Sequence, residues 1–329
     1  MKTIFTAIFL LLCTSVFSGC ALYPKAQKAF YQRDWGNLVS NQAVLDRDFP
    51  DPDVIKVDDT YYAFATISMG RNIQVAKSYD LINWEWLEDA LPELPAWSSR
   101  GDTWAPDVLS SPDGSGYLMY YVTHGKVVGR QCIDLAFSEN PAGPYRSTSE
   151  KPLICQEEEG GSIDPATFRD LDGSLYLLWK NDGNSRNLPT WIYIQSLTGD
   201  GLSLVGEPRR LISNTLAWEG NLIEAPTLYH HDNRYYLFYS ANAYYDERYA
   251  VGVAVSDSLL GPYNKAEQPF LYSGVGGSQL IGPGGQDIVV GFDGKEYIAF
   301  HGWDKWQIKR KMYLERLYWV NGMPSMTAE

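Results

Sequence analysis

Three carboxyl groups in this chain sit in variants of one short recurring motif: Asp51 in Asp51-Pro52, Asp164 in Asp164-Pro165, and Glu224 in Glu224-Ala225-Pro226. Carboxyl groups gathered in that number can serve one bond as base and acid, provided their surroundings hold their pKa values apart. Cleavage of a glycosidic bond needs that equipment: a carboxylate to activate water and a carboxylic acid to protonate the leaving oxygen. A single Asp-Pro pair usually does no more than turn or cap a strand, so the weight lies on the repetition. Signatures of other chemistries are missing, since the sequence has no Gly-x-Ser-x-Gly elbow, no phosphate loop and no Cys/His cluster at metal-ligand spacing.

These acids are far apart in sequence, and an internal repeat indicates what brings them together. Five segments share one plan, a Pro or small-residue start followed by a turn and a Tyr-rich strand. Asp51-Pro52-Asp53-Val54-Ile55 leads to Tyr61–Thr66, Ala105-Pro106-Asp107-Val108-Leu109 to Tyr117–Tyr121, and Asp164-Pro165-Ala166-Thr167-Phe168 to Tyr176–Trp179. Ala225-Pro226-Thr227-Leu228-Tyr229 leads to Tyr235–Tyr239, and Gln286-Asp287-Ile288-Val289-Val290 to Tyr297–Phe300. Successive starts are about 55 to 60 residues apart. Asp113-Gly114, Asp172-Gly173 and Asp293-Gly294 read as hairpin turns, because Gly tolerates positive φ. Third strands are expected at Ile73–Ala76, Ile133–Phe137 and Val251–Val255, two of them running on to Gly-Pro-Tyr at 143–145 and 261–263.

Units of this size with three or four strands are propeller blades. The expected fold is all-β, a five-bladed β-propeller forming one domain over residues 41–329. In such a ring the innermost strands begin near the axis, so Asp51, Asp164 and Glu224 converge. Alternation sends Asp53 and Asp107 to the same face, where structural hydrogen bonding is the expected role. Glu219, in the loop before Glu224, reads as a rim residue.

Composition agrees with a large folded core: 329 residues, 45% of them hydrophobic. A formal net charge of −13 excludes nucleic acid or an anionic membrane as the natural partner. Lys2 and the apolar run Ile4–Phe17 resemble an export signal over residues 1–20, too short for the ~20 residues that span a bilayer. Val16-Phe17-Ser18-Gly19-Cys20 resembles a lipobox, which would tie the protein to a membrane through lipid on Cys20; ordinary cleavage near Ala21 is the alternative. Residues 21–40 read as a linker or an N-terminal closing segment. Cys132 and Cys155 remain as an even pair suited to one disulfide in an oxidising compartment, with two buried thiols as the alternative.

The blade starts Asp48-Phe49-Pro50-Asp51-Pro52-Asp53, Trp104-Ala105-Pro106-Asp107, Ser162-Ile163-Asp164-Pro165 and Glu224-Ala225-Pro226 resemble those of glycoside hydrolase family 43. That family holds β-xylosidases, α-L-arabinofuranosidases and arabinanases, and the likeness covers nearly the whole chain after the leader. It implies an exported, monomeric inverting glycosidase acting on a carbohydrate rich in arabinose or xylose. In that scheme Asp51 is the base, Glu224 the acid and Asp164 the group that raises the acid's pKa by like-charge repulsion. Trp104 and Phe49 are the implied substrate contacts, with core packing the alternative for Trp104. The family often carries Gly-Pro-Gly-His near a central cation. Here the run is Gly282-Pro283-Gly284-Gly285-Gln286, so no cofactor is expected and a structural calcium lacks its customary imidazole. His301 is expected to be structural, or else near the axis. A fructan-cleaving propeller would begin Asn-Asp-Pro-Asn-Gly and follow its acid with Cys, which this chain does not. A non-catalytic sugar-binding propeller at the cell surface is the alternative from another class.

Overall fold

The computed structural model describes Phe30, Arg33, Trp35, Val39 and residues 41–328. The expected signal, the lipobox cysteine Cys20 and most of segment 21–40 lie outside these residues.

Among the described residues five antiparallel sheets of three or four strands follow one another along the chain, and a two-stranded hairpin, Tyr318–Val320 with Met323–Ser325, comes after them. The innermost strands of the five sheets are Asp53–Val57, Trp104–Ser110, Ser162–Arg169, Ile223–His231 and Gly284–Val290, which define blades 1 to 5. Each is paired with the next strand in sequence, so that every blade is a meander. The innermost strands touch in cyclic order, blade 1 meeting blade 5 as well as blade 2, and the ring is closed. The turn dipeptides act as their chemistry requires: Gly114, Gly173 and Gly294 all have positive φ, between 72° and 88°.

Burial explains why the blades hold together. The hydrophobic side chains fall into five clusters, each lying between adjacent blades rather than inside one. Phe64, Val75, Val108, Met119 and Tyr121 join blades 1 and 2, and Val54, Ala63, Val289, Ala299 and Leu314 join blades 5 and 1. A blade leaves both faces apolar and is stable only when stacked on two neighbours.

Ring closure uses the segment before blade 1. Val44 N–H donates to Met312 O at 2.9 Å and Phe49 N–H to Arg310 O at 2.7 Å, so residues 44–49 run beside the third strand of blade 5, Arg310–Arg316. Phe30 and Trp35 pack on Tyr297 of the same blade. This closure corrects the reading of Phe49 as a substrate contact: its ring is fully buried in the core between blades 1 and 5 and cannot meet a sugar. Cys132 and Cys155 form a disulfide across blade 2 and the segment leading to blade 3.

Deeper along the axis, aspartates stitch blade to blade. Asp287 accepts from Val54 N at 2.9 Å and Asp53 from Val108 N at 3.0 Å, while Asp107 is held by Thr167. Structural bonding is thus what Asp53 and Asp107 do. Burial pushes the carboxyls of Asp107 up to about 6 and Asp287 up to about 7, and Asp53 rises for the same reason, reinforced by the other two.

Candidate active site

At the head of every innermost strand the chain makes the same kink. Asp51, Ala105, Asp164, Ala225 and Gly285 all have positive φ, between 39° and 56°. In blades 2 to 5 the strand register slips at this point, a bulge that turns the flanking side chains towards the axis. A non-glycine residue held in that conformation costs on the order of 1–3 kcal/mol. A side chain from the preceding blade compensates by capturing the kinked N–H. Ala105 N donates to Thr66 Oγ1 at 2.8 Å, Ala225 N to Asp164 Oδ2 at 2.9 Å, Gly285 N to Ser240 Oγ at 2.9 Å and Asp51 N to His301 Nδ1 at 3.1 Å. Asp51 and Asp164 therefore occupy identical places in the repeat, whereas Glu224 comes one residue earlier and matches Ile163 and Trp104.

The three acids do meet. Asp51, Asp164 and Glu224 line one cavity of about 360 Å³ together with Trp104, Tyr244, Tyr249 and Arg310, a size within the ~300–1,000 Å³ common for small-ligand sites. Trp104 is half-buried in its wall.

The site holds its carboxyls in opposite states. Burial alone would raise the Asp51 carboxyl, but the Arg310 guanidinium 3.7 Å away and a 2.7 Å bond from Thr66 Oγ1 hold it well below the usual carboxylate range. Asp51 is thus ionised. The Asp164 carboxyl is pushed up to about 8, first by burial and then by Glu224, against the pull of Lys180. Glu224 accepts from Lys180 Nζ at 2.9 Å and from Tyr249 OH at 2.9 Å. Lys180 is fully enclosed; burial opposes its charge, but Glu224, Asp164 and Asp182 outweigh that and keep it an ammonium. Asp164 is the member of the pair that resists ionising, and Glu224 lies against a cation.

Burial lowers the pKa of His301, and its Nδ1 accepts the Asp51 N–H, so the neutral ring carries its proton on Nε2. The ring fills the space that a side chain at 285 would enter: a Cβ on Gly285 would stand 2.6 Å from both His301 Nδ1 and Asp51 Oδ1. Gly285→Ala should accordingly displace the Asp51 carboxylate and lower kcat/KM by about 10²-fold with the fold retained, as misplacement by ~1 Å does. Steady-state kinetics together with a melting curve checks this. Among the described residues no three His, Cys, Asp or Glu side chains are placed to share a metal ion.

The motifs pointed to Asp51, Asp164, Glu224 and Trp104, but gave no warning of Thr66, Lys180, Tyr249 or Arg310. Lys180 and His301 did leave a trace, each being a polar residue continuing an apolar strand, after Leu175–Trp179 and Tyr297–Phe300 respectively. Glu219 is also corrected: it is not on the rim but wholly buried, accepting from Tyr239 OH, Lys265 Nζ and two backbone amides.

Comparison with known proteins agrees with this fold. Residues 40–324 match the family model described as glycosyl hydrolases family 43. An extracellular endo-α-(1→5)-L-arabinanase of Thermotoga petrophila is 30% identical over 74% of this chain, a match spanning 56% of that protein's length. An extracellular exo-α-(1→5)-L-arabinofuranosidase of Cellvibrio japonicus is 27% identical over 83% of both chains. The crystal structure of a thermostable family-43 glycoside hydrolase superposes with a TM-score of 0.76 at 28% identity, covering 84% of this chain and 92% of the other.

Proposed function

This chain belongs to glycosyl hydrolases family 43, and from that premise we propose that it hydrolyses glycosidic bonds in arabinose- or xylose-containing oligosaccharides or polysaccharides with inversion of configuration. The observation that carries the proposal is the meeting, in one open cavity, of a carboxylate held ionised, Asp51, with Glu224 and a carboxyl that keeps its proton, Asp164. Asp51, stabilised by Arg310 and Thr66, takes the proton from the attacking water. Burial and the neighbouring Glu224 push the Asp164 carboxyl up to about 8, so near neutral pH Asp164 keeps its proton beside Glu224. Glu224 delivers a proton to the leaving oxygen, with Tyr249 and Lys180 fixing its carboxyl group. Inversion follows if base and acid face opposite sides of the sugar with room for water between them, roughly 6.5–9.5 Å apart. The reaction needs only carboxyl groups and water, and no cofactor enters it.

The leader-like first 20 residues, and the extracellular designation of both relatives, support export. Lipid attachment at Cys20 is the more specific proposal. Incubation with an aryl α-L-arabinofuranoside, an aryl β-D-xyloside and linear arabinan tests the function: release of product from at least one is expected. No turnover of any of the three, with oligosaccharide binding intact, would leave the non-catalytic sugar-binding reading in its place.

A further inference from the structure

Beside the catalytic cavity lies a second, wider cleft of about 910 Å³ between the loops of blades 3 and 4. The two adjoin: Asn184 borders both, and the neighbours Tyr244 and Tyr245 line one each. We propose that this cleft binds the leaving-group side of a neutral oligosaccharide, beyond the sugar next to the cleaved bond; the inference rests on the hydrolytic reading above.

Its placement gives the side. Asn221 and Leu222 of the cleft immediately precede Ile223 and Glu224, whereas no residue of blade 1, which carries Asp51, borders it. In a displacement with inversion, water enters from the base and the leaving group departs towards the acid. A chain departing past Glu224 therefore enters the gap between blades 3 and 4. Its volume exceeds that of the catalytic cavity, so it has room for more than one sugar unit.

Its chemistry gives the ligand. Asn184, Asn187 and Asn221 line the cleft, all three exposed, and among the described residues their side-chain amides bond no protein group. Primary amides present donor and acceptor together, as vicinal hydroxyls require. The ring of Tyr245 is 67% exposed and offers a stacking face for the apolar side of a pyranose or furanose. The one cation, Arg248, is spoken for by Asp246, with Nε 3.0 Å from Oδ1. A cleft whose only charges cancel favours uncharged sugars over uronic acids.

Titration calorimetry of α-1,5-arabino- and β-1,4-xylo-oligosaccharides of two to five units into Asp51→Asn protein measures binding apart from turnover. Adding Tyr245→Ala, or Asn187→Ala with Asn221→Ala, should weaken binding of the longer members roughly fivefold to tenfold, the scale of one stacking contact. The disaccharides should lose less. In the active enzyme the same changes should raise KM for long substrates more than for an aryl glycoside, whose leaving group carries no sugar. Equal losses at every chain length, no loss at all, or equal losses for aryl glycoside and pentasaccharide would overturn the assignment. If binding shifts as expected while the unmutated protein turns nothing over, the hydrolytic reading fails and takes the leaving-group assignment with it, and the cleft stands as a sugar-binding site alone.

Discussion

Asp51→Asn is expected to lower kcat/KM by about 10⁴-fold and Glu224→Gln by roughly 10²- to 10⁴-fold, the range a positioned base or acid contributes. Each exchange keeps the shape of the side chain. In the Asp51→Asn variant the new amide oxygen still receives the Thr66 hydroxyl and the backbone N–H still reaches His301, so the kink at the head of blade 1 survives. What disappears is the anion that Arg310 holds in place, and with it the ionised acceptor positioned for the water proton. The two variants should differ in their response to the leaving group. Glu224→Gln should approach normal activity on aryl glycosides with acidic phenols, which depart without protonation, whereas Asp51→Asn should stay inactive on every substrate. Measured across a series of aryl leaving groups, parallel losses in both variants would remove the division of roles.

Lys180→Met should cut kcat/KM by about 10²-fold, the cost of loosening a positioned group, and should move the alkaline limb of the pH profile upward by about one unit or more. The sign follows from charge. Lys180 is the cation that lowers the Asp164 carboxyl, which even so stands at about 8, and it contacts Glu224 at 2.9 Å. With the ammonium gone, only the Ala225 N–H still favours the Asp164 carboxylate, so the Asp164 proton is lost only at higher pH. A side chain that served stability alone would change the melting temperature and leave the limb in place. Lys180→Arg should not restore activity, because the ammonium is fully enclosed and a guanidinium is larger. A profile unchanged in Lys180→Met would show that the cation does not govern the pair.

The propeller was legible in the sequence because its blades repeat. Pro after the kink, Tyr-rich second strands and Asp-Gly turns recur at fixed spacing, and each records a local backbone demand that no tertiary context overrides. The acids were legible for the same reason, since Asp51 and Asp164 fall on the kinked residue itself and Glu224 one position before another. The groups that set their charge were not. Thr66, Lys180, Ser240 and His301 occupy one register position at the ends of second strands, yet they are four different residue types, so no motif betrays their equivalence. Arg310 reaches Asp51 only through ring closure, which pairs residues 44–49 with the last blade. Phe49 misled for a related reason: proximity to Asp51 in sequence says nothing about direction, and the closing segment turns its ring into the core. The upward shift of Asp164 comes from burial and Glu224, and it is restrained by a buried lysine that sequence cannot place.

Proton NMR of the first turnovers, with the anomeric signal followed before mutarotation, tests most directly whether water attacks from the Asp51 side while Glu224 protonates the departing oxygen. The product should first appear with the anomeric configuration opposite to that of the substrate and only later equilibrate. Initial accumulation of the same anomer as the substrate would mean a covalent intermediate on one of these carboxyls, and the assignment of Asp51 as a base acting through water would be wrong.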